Sequence, residues 1–382
     1  MGMEMKKARI LLWLILPAVL CAVLLAGCAQ VAPTASVSQN PSDLPLTDQF
    51  AAIRQAADAY LSGKQVEPIT AEELYAEYVK GRNAQYILVD IRAREDFVSG
   101  NIRGSLNIPY ALTADIKKLA NLPKDKTLVV IDYNGHWAAQ TAVTWNMLGY
   151  QAVPLQFGMQ SWSKDPAACG YEVFPSEPLH KPLVSATAER AQYSLPELKM
   201  PEGEVKELIR KLTVTYLDRN YKGFVEAGDL MAVLDGGSIT QEYYLVDVRQ
   251  PQHYQAGHLP SSINIPLAGL AKAESLQSLP QDKRIVLVGY DGLDASQGAR
   301  ILVTLGYNAV ALKYGLSYWS GEEKVTGIKP IRSLVKECPA ESVVLNAENV
   351  GDGEQLRLPA GDCYRLTPLN YLAPSTGPAG CG

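Results

Sequence analysis

Val89-Asp90-Ile91-Arg92 recurs as Val246-Asp247-Val248-Arg249, and Asn107-Ile108-Pro109 recurs as Asn264-Ile265-Pro266. Gly135 returns as Gly292, Leu148-Gly149-Tyr150 as Leu305-Gly306-Tyr307, and Trp162 as Trp319. Every pair is separated by the same 157 positions, as from Asp90 to Asp247, so no net insertion or deletion divides the copies. Self-similarity over so long a period means a duplicated domain.

Working outward from these anchors, each copy opens on an amphipathic helix. Phe50, Ile53, Ala57 and Tyr60-Leu61 follow 3- and 4-residue spacing, as do Val205, Leu208-Ile209, Leu212 and Tyr216-Leu217. A short helix over Ala71 to Lys80 follows, with Thr70 as N-cap and Glu73 three residues on; its counterpart is Glu226 to Leu234. Tyr86 to Val89 and Tyr243 to Val246 are short apolar runs, as expected for strands covered on both faces. Thr127–Ile131 and Arg284–Val288 form a second such pair, and Ala152–Leu155 and Ala309–Leu312 a third. Helical segments Trp137–Leu148 and Ala295–Leu305 stand between them, and Gly149 and Gly306 sit where a C-cap glycine belongs. This alternation implies an α/β fold with a mainly parallel sheet and helices on both faces.

The order of these motifs, closing on Gly-x-x-x-Trp, resembles the rhodanese family. Gly257-His258-Leu259-Pro260 is close to that family's turn, and Gly100-Asn101-Ile102-Arg103 is a looser version. The resemblance implies two tandem rhodanese-like domains, expected over 48–175 and 200–328, followed by a small C-terminal appendix at 331–382. Within that appendix, Ser342–Leu345 and Gln355–Leu358 are candidate strands, and the Pro/Gly-rich end has the composition of disorder.

The resemblance also implies chemistry. Rhodaneses carry sulfane sulfur on a cysteine at the end of a buried strand, in a loop that leads into a helix. Such a carrier must be a thiolate, and its loop must aim backbone N–H groups at the sulfur. Here the loops read Asp132-Tyr133-Asn134-Gly135-His136-Trp137 and Gly289-Tyr290-Asp291-Gly292-Leu293-Asp294. The cysteine position is occupied by Asp132 in one copy and by Gly289 in the other, and neither loop contains Lys or Arg. A carboxylate at Asp132 is placed to occupy the ring of N–H groups as an internal surrogate for an anion, whereas Asp291 and Asp294 would repel one. Both loops are expected to be degenerate. The sharper reading keeps them as ligand or peptide clefts with Tyr133, Trp137 and Tyr290 as exposed contacts. His136, lacking a nucleophile beside it, reads as a surface loop residue. Asp90/Arg92 and Asp247/Arg249 read as structural hydrogen-bonding pairs. Cys169 reads as a structural thiol or disulfide partner, with a displaced nucleophile as the alternative. No Cys-x-x-Cys or His-x-x-x-His spacing is present, so no metal or redox-dithiol site is expected, and nothing calls for a cofactor.

The first residues set the compartment. Lys6, Lys7 and Arg9 precede an apolar run from Ile10 to Gly27, the n- and h-regions of an export signal. The run ends Leu25-Ala26-Gly27-Cys28, which looks like a bacterial lipobox: 1–27 is removed and Cys28 is diacylated. An uncleaved membrane helix is the alternative, since about 18 apolar residues just suffice to span. Residues 28–47 read as a flexible tether. The protein is thus expected to be exported and lipid-anchored to the cell membrane or outer membrane, facing the periplasm or exterior. Cys169, Cys338, Cys363 and Cys381 would then be free to form disulfides. A net charge of −5 over 382 residues provides no basic footprint and argues against nucleic acid. The leading functional reading is a non-catalytic binding, scaffold or sensing module at the envelope. The rivals are a sulfurtransferase recruiting Cys169 or a tail cysteine, and a docking half for a separate catalytic rhodanese.

Overall fold

The computed structural model describes residues 46–63, 67–166, 169–170, 174–198, 203–237 and 239–335, with short strands at 343–344, 356–357 and 363–364. The export signal, Cys28, the expected tether as far as residue 45, Cys338, Cys381 and the Pro/Gly-rich end lie outside the described residues, while Leu46 and Thr47, read as the end of the tether, already belong to the first helix. No described helix is long and apolar enough to cross a membrane.

The first repeat runs α1 (Leu46–Ser62), α2 (Ala71–Leu74), β1 (Tyr86–Asp90), α3 (Arg94–Ser99), β2 (Asn101–Ile102) and β3 (Leu106–Asn107). It continues with α4 (Ile116–Ala120), β4 (Thr127–Ile131), α5 (His136–Met147), β5 (Gln151–Pro154) and α6 (Gly158–Trp162). The expected start at Thr70 is a full capping box: its hydroxyl accepts from Glu73 N–H, and the Glu73 carboxylate accepts from Thr70 N–H at 2.9 Å. The helix then widens into a π-type turn over Tyr75–Lys80. The sheet order is β3-β1-β4-β5, every pairing parallel.

The second repeat runs α7 (Val205–Asp218), β6 (Phe224–Val225), α8 (Ala227–Asp235), α9 (Ile239–Glu242), β7 (Tyr243–Asp247), α10 (Pro251–Ala256) and β8 (Ile263–Asn264). Then come α11 (Ala273–Leu276), β9 (Arg284–Val288), α12 (Leu293–Thr304), β10 (Ala309–Leu312), α13 (Gly315–Trp319) and α14 (Glu323–Thr326). Its sheet, β6-β10-β9-β7-β8, is again parallel throughout. Alternate residues of the central strands reach opposite cores: Ile87 and Val89 join one, Leu88 the other, as period-2 side-chain geometry requires. The appendix contributes β11 (Val343–Val344), antiparallel to β2 of the first repeat, and the hairpin β12 (Leu356–Arg357) and β13 (Cys363–Tyr364).

The helices α5 and α12, which follow the two loops, pack against each other between the sheets. The leading helices are exchanged across this seam. α1 opens the first repeat yet lies on the Leu267–Gly269 turn of the second, with Arg54 Nη1 donating to Ala271 O at 3.3 Å. α7 opens the second repeat yet lies on the Tyr110–Leu112 turn of the first, with Arg210 Nη1 donating to Ala114 O at 3.1 Å. Ala114 and Ala271 are equivalent positions, so the exchange is symmetric. The connecting segment also clasps the second repeat: Val184 and His258 exchange backbone hydrogen bonds at 2.8 and 2.9 Å.

Candidate functional site

The strand ends that carry the loops are anchored by the paired Asp and Arg residues. Arg92 Nη2 donates to Asp90 Oδ2 at 2.7 Å and to Gly100 O at 2.6 Å; Arg249 donates to Asp247 Oδ2 and Gly257 O, each at 2.7 Å. All four side chains are fully buried. Each arginine thereby ties its strand end to the turn after the next helix.

In the first loop the Asp132 carboxylate folds back on the backbone that follows it. Oδ1 accepts from Gly135 N–H at 2.6 Å and Oδ2 from Trp137 N–H at 2.9 Å. The groups that would face an anion at the start of α5 therefore face this side chain. Gly135 takes φ of +90°, and a Cβ there would lie 2.8 Å from Phe157 N, so only glycine fits.

The second loop reaches a similar arrangement with different residues. Gly289 has no side chain, and Asp294 fills the space: a Cβ on Gly289 would lie 1.9 Å from Asp294 Oδ1. The Asp294 carboxylate accepts from Tyr290 N–H at 3.0 Å and from Ala295 N–H at 2.8 Å. Asp294 is the counterpart of Trp137, so the carboxylate has moved from the first loop position to the sixth. Asp291 accepts from Leu293 N–H and from Gln156 Nε2 of the first repeat, each at 3.0 Å. Burial, reinforced by the neighbouring Asp291 charge, pushes the Asp294 carboxyl up to about 7. Gly289→Ala is expected to cost about 1–3 kcal/mol through overpacking against Asp294. Combining it with Asp294→Ala should recover most of that loss in a double-mutant cycle read by urea unfolding; simple additivity would contradict the contact.

The aromatic residues take places that the sequence reading did not assign. Tyr133 and Tyr290, expected as exposed contacts, are half-buried and tied down by hydrogen bonds. Tyr133 Oη accepts from Ala93 N–H at 3.2 Å and donates to the Asp96 carboxylate. Burial and that carboxylate both raise its pKa. Tyr290 Oη accepts from Gln250 N–H at 3.2 Å and meets His253 Nδ1 at 2.6 Å. Trp137, also half-buried, stacks on Tyr110 with centroids 4.6 Å apart, and its indole N–H donates to Lys222 O. The phenol partners at 96 and 253 lie just past the Asp-x-Arg motifs, a spacing visible in the sequence but silent about the contact.

His136, read as a surface residue, is fully buried at the seam between the repeats. Its Nε2 accepts from Tyr314 N–H at 3.2 Å, so the proton sits on Nδ1, which faces Ser296 Oγ at 2.7 Å. Burial and the nearby Lys313 charge push its pKa down to about 3. Asn134, whose side chain accepts from His136 N–H, is buried as well. Cys169 is a free buried thiol that donates to Ser163 O at 3.0 Å and Met159 O at 3.4 Å. Burial pushes it up to about 11, away from thiolate character.

The rhodanese-like domain family matches residues 70–165 and 226–322. "Adenylyltransferase and sulfurtransferase uba4" of Ogataea parapolymorpha is 30% identical over 36% of this chain and 37% of its own length. The chain thus spans little more than a third of that relative. "Putative sulfurtransferase YtwF" of Bacillus subtilis is 27% identical over 22% of this chain and 80% of its own. "Thiosulfate sulfurtransferase GlpE" of Pseudoalteromonas translucida is 31% identical over 22% of this chain and 82% of its own.

Proposed function

The chain belongs to the rhodanese-like family through two copies of its domain, and from that premise we propose a non-catalytic binding, scaffold or sensing role at the cell envelope. Lipid on Cys28 holds it there, following the export signal read from residues 1–27. One observation carries the reading: where the family's sulfur carrier belongs, each loop places a carboxylate on its own backbone N–H groups. A carboxyl group cannot accept sulfane sulfur as a persulfide, and it occupies the N–H groups that would otherwise face an anionic donor. A catalytic rhodanese is a fitting partner for such a protein, with the half-buried Tyr133 and Tyr290 of the two loops as its contacts.

The rival reading, supported by the sulfurtransferase relatives, routes sulfur through Cys169. The buried, protonated state of that thiol weighs against it. The protein from residue 29 onward should be incubated with thiosulfate, then assayed with cyanide for thiocyanate and by mass spectrometry for a persulfide increment. Neither product is expected. Turnover that disappears in Cys169→Ala would overturn the non-catalytic reading in favour of its rival.

A further inference from the structure

Four large apolar side chains stand exposed among the described residues, and three of them share one face of the first repeat. Leu112 closes the Tyr110–Leu112 turn at 37% exposure, Ile116 opens α4 at 56%, and Tyr221 follows α7 at 50%. What lies beneath holds them together. Ala114, between the first two, packs with Tyr216 and Leu217 of α7, and the Tyr216 and Tyr221 ring centroids are 6.0 Å apart. The fold itself requires no bulk at the first two places, because the matching positions of the second repeat, 157 residues on, hold Gly269 and Ala273. Charge departs in the same way. Lys117, Lys211, Arg219 and Lys222 stand exposed around the patch, against the exposed Asp218. The other acids nearby are engaged: Glu207 by Arg210 at 2.7 Å, and Asp115 by Lys118 N–H at 2.9 Å. At the place of Lys117 the second repeat has Glu274. Scattered exposed apolar residues are ordinary, but ones gathered inside a cationic rim mark a contact surface.

We propose that this face of the first repeat docks on the anionic headgroups of a lipid bilayer. Leucine and isoleucine side chains suit the boundary between headgroups and acyl chains, tyrosine favours the same interface, and lysine and arginine are drawn to anionic lipid. Charge complementarity singles out this face. The protein as a whole carries −5, so a negative bilayer repels it except where a local excess of cations is presented. The inference goes beyond the proposed function and rests on it only for the nearness of the membrane. Cys28 lies 18 positions before Leu46, a chain that spans at most roughly 60 Å. Tethering of that reach supplies the local concentration that so small a patch requires.

The test is hydrogen exchange on the full-length protein carried by phosphatidylcholine vesicles, with and without about one-third phosphatidylglycerol. Flotation with the neutral vesicles reports the lipid anchor separately from the patch. With anionic lipid present, exchange over 111–119 and 218–223 should slow, about tenfold at nine-tenths occupancy, and should not change over 268–276. Ile116→Ala combined with Lys117→Glu gives α4 the residue types of the second repeat at two exposed positions. That variant should float as the wild type does and lose the footprint. Three results overturn the proposal: an anchored wild type without the footprint, a footprint as strong on neutral vesicles, or one that survives in the variant. The first is also what a patch built for a protein partner gives. A wild type that fails to float with neutral vesicles lacks the lipid; the same footprint is then expected at a large excess of anionic vesicles, and its absence overturns the proposal equally.

Discussion

A chain lacking residues 1–66 should lose stability in the second repeat, although the deleted helix opens the first. α1 buries Phe50, Ile53, Ala57 and Leu61, and it lies on the Leu267–Gly269 turn as well as on α5 and α7. Its polar contacts also cross the seam: Arg54 reaches Ala271 O, and Tyr60 Oη donates to Gln297 Oε1 at 2.9 Å. Full burial of each large apolar side chain contributes about 1.5–3 kcal/mol, so three of them match the roughly 5–15 kcal/mol that holds a whole domain. Hydrogen exchange on the truncated chain should show protection lost over 263–304 and over α5, with β1 and β4 protected longer. Loss confined to the first repeat would contradict the exchanged arrangement.

Acid should loosen the seam through His136. Below about pH 6.5 the unfolded imidazole takes up a proton, while the folded one, held down to about 3, does not. The unfolded state then binds more protons, so stability falls as pH drops through that window. The loss is about 2 kcal/mol at pH 5 and about 3 kcal/mol at pH 4, relative to neutral pH. Geometry gives the same sign independently, because protonating Nε2 would set a donor against Tyr314 N–H. His136→Leu should be less stable at pH 7, having orphaned Ser296 and Tyr314, but should lack this part of the pH dependence. Urea midpoints from pH 4 to pH 7 measure it. A wild-type and a mutant slope that coincide would rule the mechanism out.

Much of the fold was legible because its causes are local. Apolar runs marked the strands, Thr70 and Glu73 announced a capping box, and Gly149 and Gly306 at φ +92° end their helices as expected. The constant 157-residue register placed Asp132 and Gly289 without slippage. What stayed hidden depends on residues far apart in sequence. Amphipathic spacing shows that Ile53 is buried but not that its neighbour comes from the other repeat. Nothing near His136 reveals that Ser296 and Tyr314 enclose it. The shift of the carboxylate from position 132 to the counterpart of Trp137 was present in the sequence. Its meaning rests on glycine leaving room for Asp294, a matter of ångströms rather than of pattern.

The exchange of leading helices also sets an order of events as the chain is made. α1 is synthesised first, yet the carbonyl that Arg54 holds lies 217 residues downstream. When the first repeat has emerged, its Tyr110–Leu112 turn still lacks α7, and α1 still lacks the second repeat. Contacts of such sequence separation close slowly, because the entropy of the intervening loop must be overcome before they form. The part of α1 that rests on the second repeat therefore stays uncovered until that repeat has been made, an interval in which a folding helper or an aggregation partner can reach it.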